Sequence, residues 1–254
     1  MRETIVEICC GSYYDAEQAV QGGAGRIELN SALMLGGLTP TETTLRMVKE
    51  KYPSLNVVAM VRPRGAGFCY SEEEFQVMQK ECESLLKCGA DGIAFGCLRA
   101  DGSLDEKRNR GLTGMIREMG KEAVFHRAFD CSKDPFAAME ELIAMGVTRV
   151  LTSGLKPKAA EGRELLKKLQ ADYGTEIQIL AGSGVNADNA LELMKYTGLC
   201  QIHSSCKAWK TDPTTVQNGI SYSIADGEHT FCHDVVSAEL VKELVDRVSS
   251  GIQS

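Results

Sequence analysis

Residues 123–154 read AVFHRAFDCSKDPFAAMEELIAMGVTRVLTSG, and this stretch decides the fold. It opens with Ala123 to His126, a short β-rich run, and closes with a second, Arg149 to Thr152. Between them Asp134-Pro135 gives an N-cap followed by proline at the first helical position, and Gly146 ends the helix. A helix joining two short strands is a crossover, so the strands are parallel neighbours.

The same unit recurs in both directions along the chain. Further strands are expected at Thr4 to Ile8, Arg26 to Leu29, Asn56 to Val61, Gly92 to Phe95, Ile177 to Ala181 and Gln201 to His203. A helix is expected over Glu72 to Lys87, with Ser71 as N-cap and Glu74 completing a capping box. Eight such units in 254 residues predict one α/β domain over 1–254, a closed (β/α)8 TIM barrel. An open Rossmann-like sheet would read similarly for six of the units. One stretch breaks the rhythm. Cys206 to His233 reads as a long loop between strand eight and the last helix, either a lid over the site or a packing excursion at an oligomer contact.

Composition removes several function classes. The formal charge is -7, there is one Trp, and no Lys/Arg stripe is interleaved with aromatics, which argues against nucleic acid. No run approaches the roughly 20 apolar residues of a membrane helix. Met1 to Tyr14 has no sustained apolar core, and the ten cysteines lack the spacing of a disulfide scaffold. A cytoplasmic protein with free thiols is therefore expected.

Alternate strand residues face opposite ways. Parity sends Glu7, Cys9, Glu28, Arg62, His126, Thr152 and His203 toward the lumen, near the carboxyl ends where barrel enzymes place their sites. Charges enter a barrel only with partners or a ligand. They form either an internal salt-bridge network or a functional site. In the functional reading Glu7, Glu28 and His126 are candidates for acid–base work, while Arg62 and Arg64 clamp an anion. Gly182-Ser183-Gly184 after strand seven and His203-Ser204-Ser205 after strand eight are placed to hold a phosphate at backbone N–H groups and helix amino ends.

Thiols raise metal binding as a third possibility. Cys9-Cys10, Cys69 and Cys97 could share the barrel mouth, but nothing has zinc-finger spacing. His229, Cys232, His233 and Asp234 read as an exposed loop first and a metal group second.

At this point a resemblance applies. The chain is similar to the CutC family, named for copper homeostasis, through Glu7-Ile8-Cys9-Cys10, Gly25-Arg26-Ile27-Glu28-Leu29, Gly36-Gly37-Leu38-Thr39-Pro40, Arg62-Pro63-Arg64-Gly65, Phe125-His126-Arg127-Ala128-Phe129-Asp130, Arg149-Val150-Leu151-Thr152-Ser153-Gly154 and His203-Ser204-Ser205. The resemblance implies a (β/α)8 barrel, a cytoplasmic homo-oligomer and a part in copper tolerance. With the thiols at the mouth it points to Cu(I) held by Cys9 and Cys10. It also brings Asp130, Thr152 and Ser153 into the expected ligand-binding set. The chain departs from the family at Asn30, where members often carry Cys, and at Ala66-Gly67, where they often carry Gly-Asp. The motifs that match are hard, hydrogen-bonding groups, suited to a small phosphorylated or anionic metabolite.

Overall fold

The computed structural model describes residues 4–252, so the ends of the expected 1–254 span lie outside the described residues. Eight parallel strands close a barrel in sequence order: β1 (Ile5–Cys10), β2 (Arg26–Leu29), β3 (Asn56–Met60), β4 (Gly92–Phe95), β5 (Glu122–Phe125), β6 (Arg149–Thr152), β7 (Gln178–Ala181) and β8 (Gln201–Ser204). β8 pairs back onto β1, which removes every edge and separates this fold from the open sheet. Around it lie α1 (Tyr13–Gln21), α2 (Glu42–Lys51), α3 (Glu72–Lys87), α4 (Glu106–Glu118), α5 (Pro135–Met145), α6 (Arg163–Tyr173), α7 (Ala190–Thr197) and α8 (Ala238–Ile252). None is long and apolar enough to cross a membrane.

Local chemistry sets these boundaries as expected. Ser71 and Glu74 close a reciprocal capping box on α3. Asp134 accepts from the N–H groups of Phe136 and Ala137 at the start of α5, and Gly146 ends that helix at φ 80°.

The strands carry two different faces. Val57, Ala59, Val61, Ile93, Phe95, Ala123 and Phe125 belong to the main core between sheet and helices. Their neighbours Val58, Met60, Ala94 and Val124 form a separate buried cluster, the apolar plug of the lumen.

Two expectations are corrected. β5 ends at Phe125, and His126 is instead the extended N-cap of a 3₁₀ turn, Arg127–Cys131, because its ring accepts from the Ala128 N–H. The segment after β8 is not an irregular loop. Its ends form β9 (Lys207–Thr211) and β12 (Cys232–Val236), antiparallel from Lys207 opposite Val236 to Thr211 opposite Cys232. Between them lies a short hairpin, β10 (Val216–Gln217) and β11 (Ile220–Ser221). His229 stacks on Trp209, with ring centroids 4.4 Å apart, so the His229/Cys232/His233/Asp234 group is the face of an arm and forms no metal cluster among the described residues.

Asp15 fixes the arm. Buried in the first turn of α1, it accepts from Gly11 N–H at 2.9 Å and from Val236 N–H at 2.8 Å. Asp15→Ala removes two charge-assisted bonds and should cost about 3 kcal/mol in denaturant unfolding. Amide exchange should quicken selectively over residues 207–236. Uniform protection there would show that the arm is held by other means.

Candidate functional site

Glu7 lies in the middle of β1 with 1% exposure. Register sets Arg26 of β2 on one side of it and His203 of β8 on the other. Arg26 Nε lies 2.6 Å from Oε2, His203 Nδ1 lies 2.8 Å from Oε1, and Arg149 Nη1 from β6 comes to 3.9 Å. Below them Arg149 donates to Glu122 and Gln178, Arg26 donates to Gln201, and Gln201 donates to Gln178. Two arginines thus meet two carboxylates inside the barrel, and the internal salt-bridge network exists. Burial pushes the Glu7 carboxyl up, but the charges of Arg26, His203 and Arg149 outweigh it and hold the group down at about 2. Glu7 stays ionised throughout the physiological range, which leaves it no proton to exchange. Its work is to orient His203.

Above this network a cavity of about 300 Å³ opens at the carboxyl ends of the strands. One wall is built from β8, β1 and β2. Cys9 lies opposite Glu28 in register, and one ligand-type atom each from Cys9, Glu28 and His203 fall within 4.8 Å of one another. Asn30, fully buried, donates to Glu28 Oε2 at 3.0 Å and to Cys9 Sγ at 3.5 Å. Burial raises the Glu28 carboxyl, with the Glu7 charge adding and His203 opposing. Burial lowers His203, but its bond to Glu7 and the charges of Glu28 and Glu7 carry it above the usual imidazole value. Burial, then Glu28, hold the Cys9 thiol well above its ordinary range. Cys10 points the other way, into the core between sheet and helices, where its thiol donates to Ile8 O. Cys97 is likewise core, and Cys69 is exposed.

The opposite wall comes from β3 and β5. Arg62 is 5% exposed, and its Nη1 donates to Leu35 O and Gly37 O while Nη2 donates to Ala66 O. Ala66 holds its carbonyl there from φ 63°, a left-handed position that glycine adopts more easily. Among the described residues no carboxylate pairs with Arg62, and its side chain also meets the buried Tyr70 hydroxyl. His126 is 2% exposed, stands 5.0 Å from the Phe68 ring, and has Gly96 beneath it, where a Cβ would press on the imidazole at 2.8 Å. Burial and the nearby Arg62 charge depress its pKa to about 3, so it is neutral and no general base at physiological pH.

The remaining expected ligands divide. Ser183, Gly184, Ser204 and Ser205 line the cavity. Gly182 packs against His203 and Leu151. Ser204 Oγ is committed to Val185 O, and Ser183 Oγ to Pro157 O. The turn after β7 does not run straight into a helix, since α7 begins only at Ala190. Thr152 and Ser153 bind Asp130, which also accepts from Leu155 N–H and pairs with Arg127. That network shapes the β6 loop and reaches the cavity through Arg127. Parity had misled for Thr152, because Leu151 is the lumen residue that lines the cavity. Arg64 pairs with Glu74 and with loop carbonyls, away from the mouth. Arg26, Arg149 and Asn30 were missed as lumen groups, although Arg26 shares parity with Glu28.

Glu7→Gln should destabilise the fold by about 3 kcal/mol, since it strands buried cations. His203 sets the pH dependence. A histidine raised above 6.5 in the folded state adds stability below that value and loses it as pH rises through the folded pKa. The loss on mutation should therefore be larger at about pH 6 than at about pH 9. Equal losses in denaturant unfolding at both values would remove His203 from the network.

Comparison with known proteins agrees with this geometry. The profile of the CutC family matches residues 4–208. A CutC family protein from Treponema denticola is 46% identical over 222 residues, 87% of this chain and 89% of that one. One from Vibrio vulnificus is 39% identical over 222 residues, covering 87% and 88%. The solved structure of CutC from Streptococcus agalactiae, named for copper homeostasis, superposes with a TM-score of 0.75 at 26% identity, over 80% of this chain and 98% of that one. The chain is a member of the CutC family.

Proposed function

We propose that the chain binds a small organic anion in the cavity at the barrel mouth and acts on it by proton transfer. The observation that carries this is Arg62, a buried cation whose polar neighbours are three carbonyl dipoles and the Tyr70 hydroxyl, with no carboxylate. A buried charge without a counter-charge costs several kcal/mol, whereas the Arg26 and Arg149 charges below are matched within the protein. An anion in the cavity would supply what Arg62 lacks. The N–H groups of the Ser183-Gly184 turn and of Ser205 add donors at the rim. Facing them, Glu28 and His203 have pKa values moved in the directions that suit proton exchange. In this proposal they replace Glu7 and His126 as the acid–base pair. The proposal takes the protein to be a cytoplasmic homo-oligomer, on the support of the family resemblance.

A copper ion is the second reading. It is favoured by the Cys9/Glu28/His203 cluster and by Glu7 behind His203, the carboxylate–histidine arrangement that orients metal ligands. The donor set nevertheless fits Cu(I) poorly. Cu(I) favours soft sulfur, and here a single thiol is joined by a carboxylate and by the Asn30 amide. Cys10 lies outside the cluster. Copper therefore enters no step of the proposed chemistry.

A thermal-shift panel of small carboxylates and phosphate esters separates the readings. At saturation one class should raise the melting temperature by about 5 °C. Arg62→Met should abolish the rise, and Arg62→Lys should keep part of it. If no anion shifts the transition, while anaerobic Cu(I) binds near one equivalent and is lost in Cys9→Ser, the copper reading replaces this one.

A further inference from the structure

Two further cations stand at the rim of the same cavity and narrow the kind of anion, a step that rests on the anion reading above. Arg127 follows β5 and Lys207 opens β9, so in chain order they flank the ends of β6, β7 and β8. Both line the cavity, and their side chains are 42% and 44% exposed, so neither head is sealed in the wall. Arg127 is held in place without being used up. Its Nε donates to Asp130 at 2.8 Å and its Nη2 to Ser153 Oγ at 3.0 Å, while Nη1 has no acceptor among the described residues. Asp130 in turn accepts from Thr152, Ser153 and Leu155, so its charge is shared among several donors.

Lys207 is positioned by the arm. It stands opposite Val236, whose N–H is the group that Asp15 holds. Its ammonium lies 4.0 Å from the centre of the Trp209 ring and 3.9 Å from Asp234, near enough for attraction and too far for a hydrogen bond. Its donors are therefore uncommitted among the described residues. Between the two cations come the turns after β7 and β8, the place where barrels of this kind often hold a phosphate. Ser183 and Gly184 there take consecutive left-handed positions, φ 81° and 70°, a costly conformation for serine that its bond to Pro157 O helps to fix. The cavity is thus lined by the cations Arg62, Arg127 and Lys207 and by the carboxylates Glu28 and Asp234. A carboxylate ligand brings one charge, enough for Arg62 alone. A phosphate monoester brings nearly two, with three acceptor oxygens to share among separate donors.

We propose that the ligand is a small phosphate monoester, its phosphate gripped at the rim by Arg127 and Lys207 over the Ser183-Gly184 turn, its organic end reaching toward Glu28 and His203. Arg127 supplies a fixed planar donor and Lys207 a mobile point charge, two complementary ways of meeting phosphate oxygens. Both are binding residues in this assignment and take no part in proton transfer. The Arg62 charge adds attraction from the β3 wall.

Glycerol 3-phosphate and glycerate test this, because they share a hydroxylated three-carbon skeleton and differ in the anion. Binding is read by isothermal titration calorimetry, with inorganic phosphate as a third probe. Glycerol 3-phosphate should bind at least about tenfold more tightly than glycerate. Arg127→Gln and Lys207→Gln should each weaken glycerol 3-phosphate about tenfold and leave glycerate within about twofold. Lys207 is exposed, so its variant carries the test if Arg127→Gln disturbs the Asp130 turn. If glycerate binds as tightly and both variants leave glycerol 3-phosphate unaffected, the phosphate assignment is wrong, and loss of binding in Arg62→Met would keep the anion site standing. If neither glycerol 3-phosphate nor inorganic phosphate binds while a carboxylate does, the ligand class is likewise overturned. If no anion binds the wild type, the functional reading falls and this inference falls with it.

Discussion

A carboxylate in the middle of a closed barrel must be matched by charge from the barrel itself, and the rest of this structure follows from how Glu7 is matched. Arg26, Arg149 and His203 reach it from three different strands, so the network ties β1 to β2, β6 and β8 across the lumen. Each arginine is in turn satisfied from below or beside, Arg26 by Gln201 and Arg149 by Glu122 and Gln178. A network of this kind is costly when half complete and rigid when complete. Completing it locks the His203 ring, with Nδ1 turned to Glu7 and the other nitrogen left for the cavity.

The charge balance then changes with height in the barrel. Around Glu7, cations and anions are matched within the protein. At the mouth they are separated onto two walls: Glu28, His203 and Cys9 on one, Arg62 and His126 on the other. The lower layer is matched within the protein, whereas Arg62 in the upper layer has no carboxylate among the described residues. The arm of β9 and β12 borders that upper layer through Lys207 and Asp234, and Asp15 anchors it to α1.

Much of this was legible in the sequence. The βαβ alternation, the Ser71/Glu74 box and the Asp134-Pro135/Gly146 bounds are local signals, and each is found where expected. Strand parity correctly placed Glu7, Cys9, Glu28, Arg62 and His203 on the inner face, because period two survives any change in the surroundings. It failed on β6. Parity there was set out of phase and sends Thr152 inward, yet Leu151 lines the cavity, and Arg149, at the same parity as Leu151, anchors Glu7. Asp130 reads as a ligand by residue type, but Thr152, Ser153, Leu155 and Arg127 already occupy it. The arm escaped notice because its two strands pair across twenty intervening residues, with Pro213 and Gly219 between them, beyond the reach of a local pattern. Asn30 stood out as a departure from the family, but only the structure reveals that its amide binds both Glu28 and Cys9.

A high-resolution crystal structure of the protein as purified, with data collected on both sides of the copper absorption edge, tests the central claim most directly. The account predicts oxygen atoms of a bound organic anion in the cavity beside the Arg62 guanidinium and no anomalous peak beside Cys9. A copper peak between Cys9 and His203, or a cavity beside Arg62 that holds only ordered water, would contradict it.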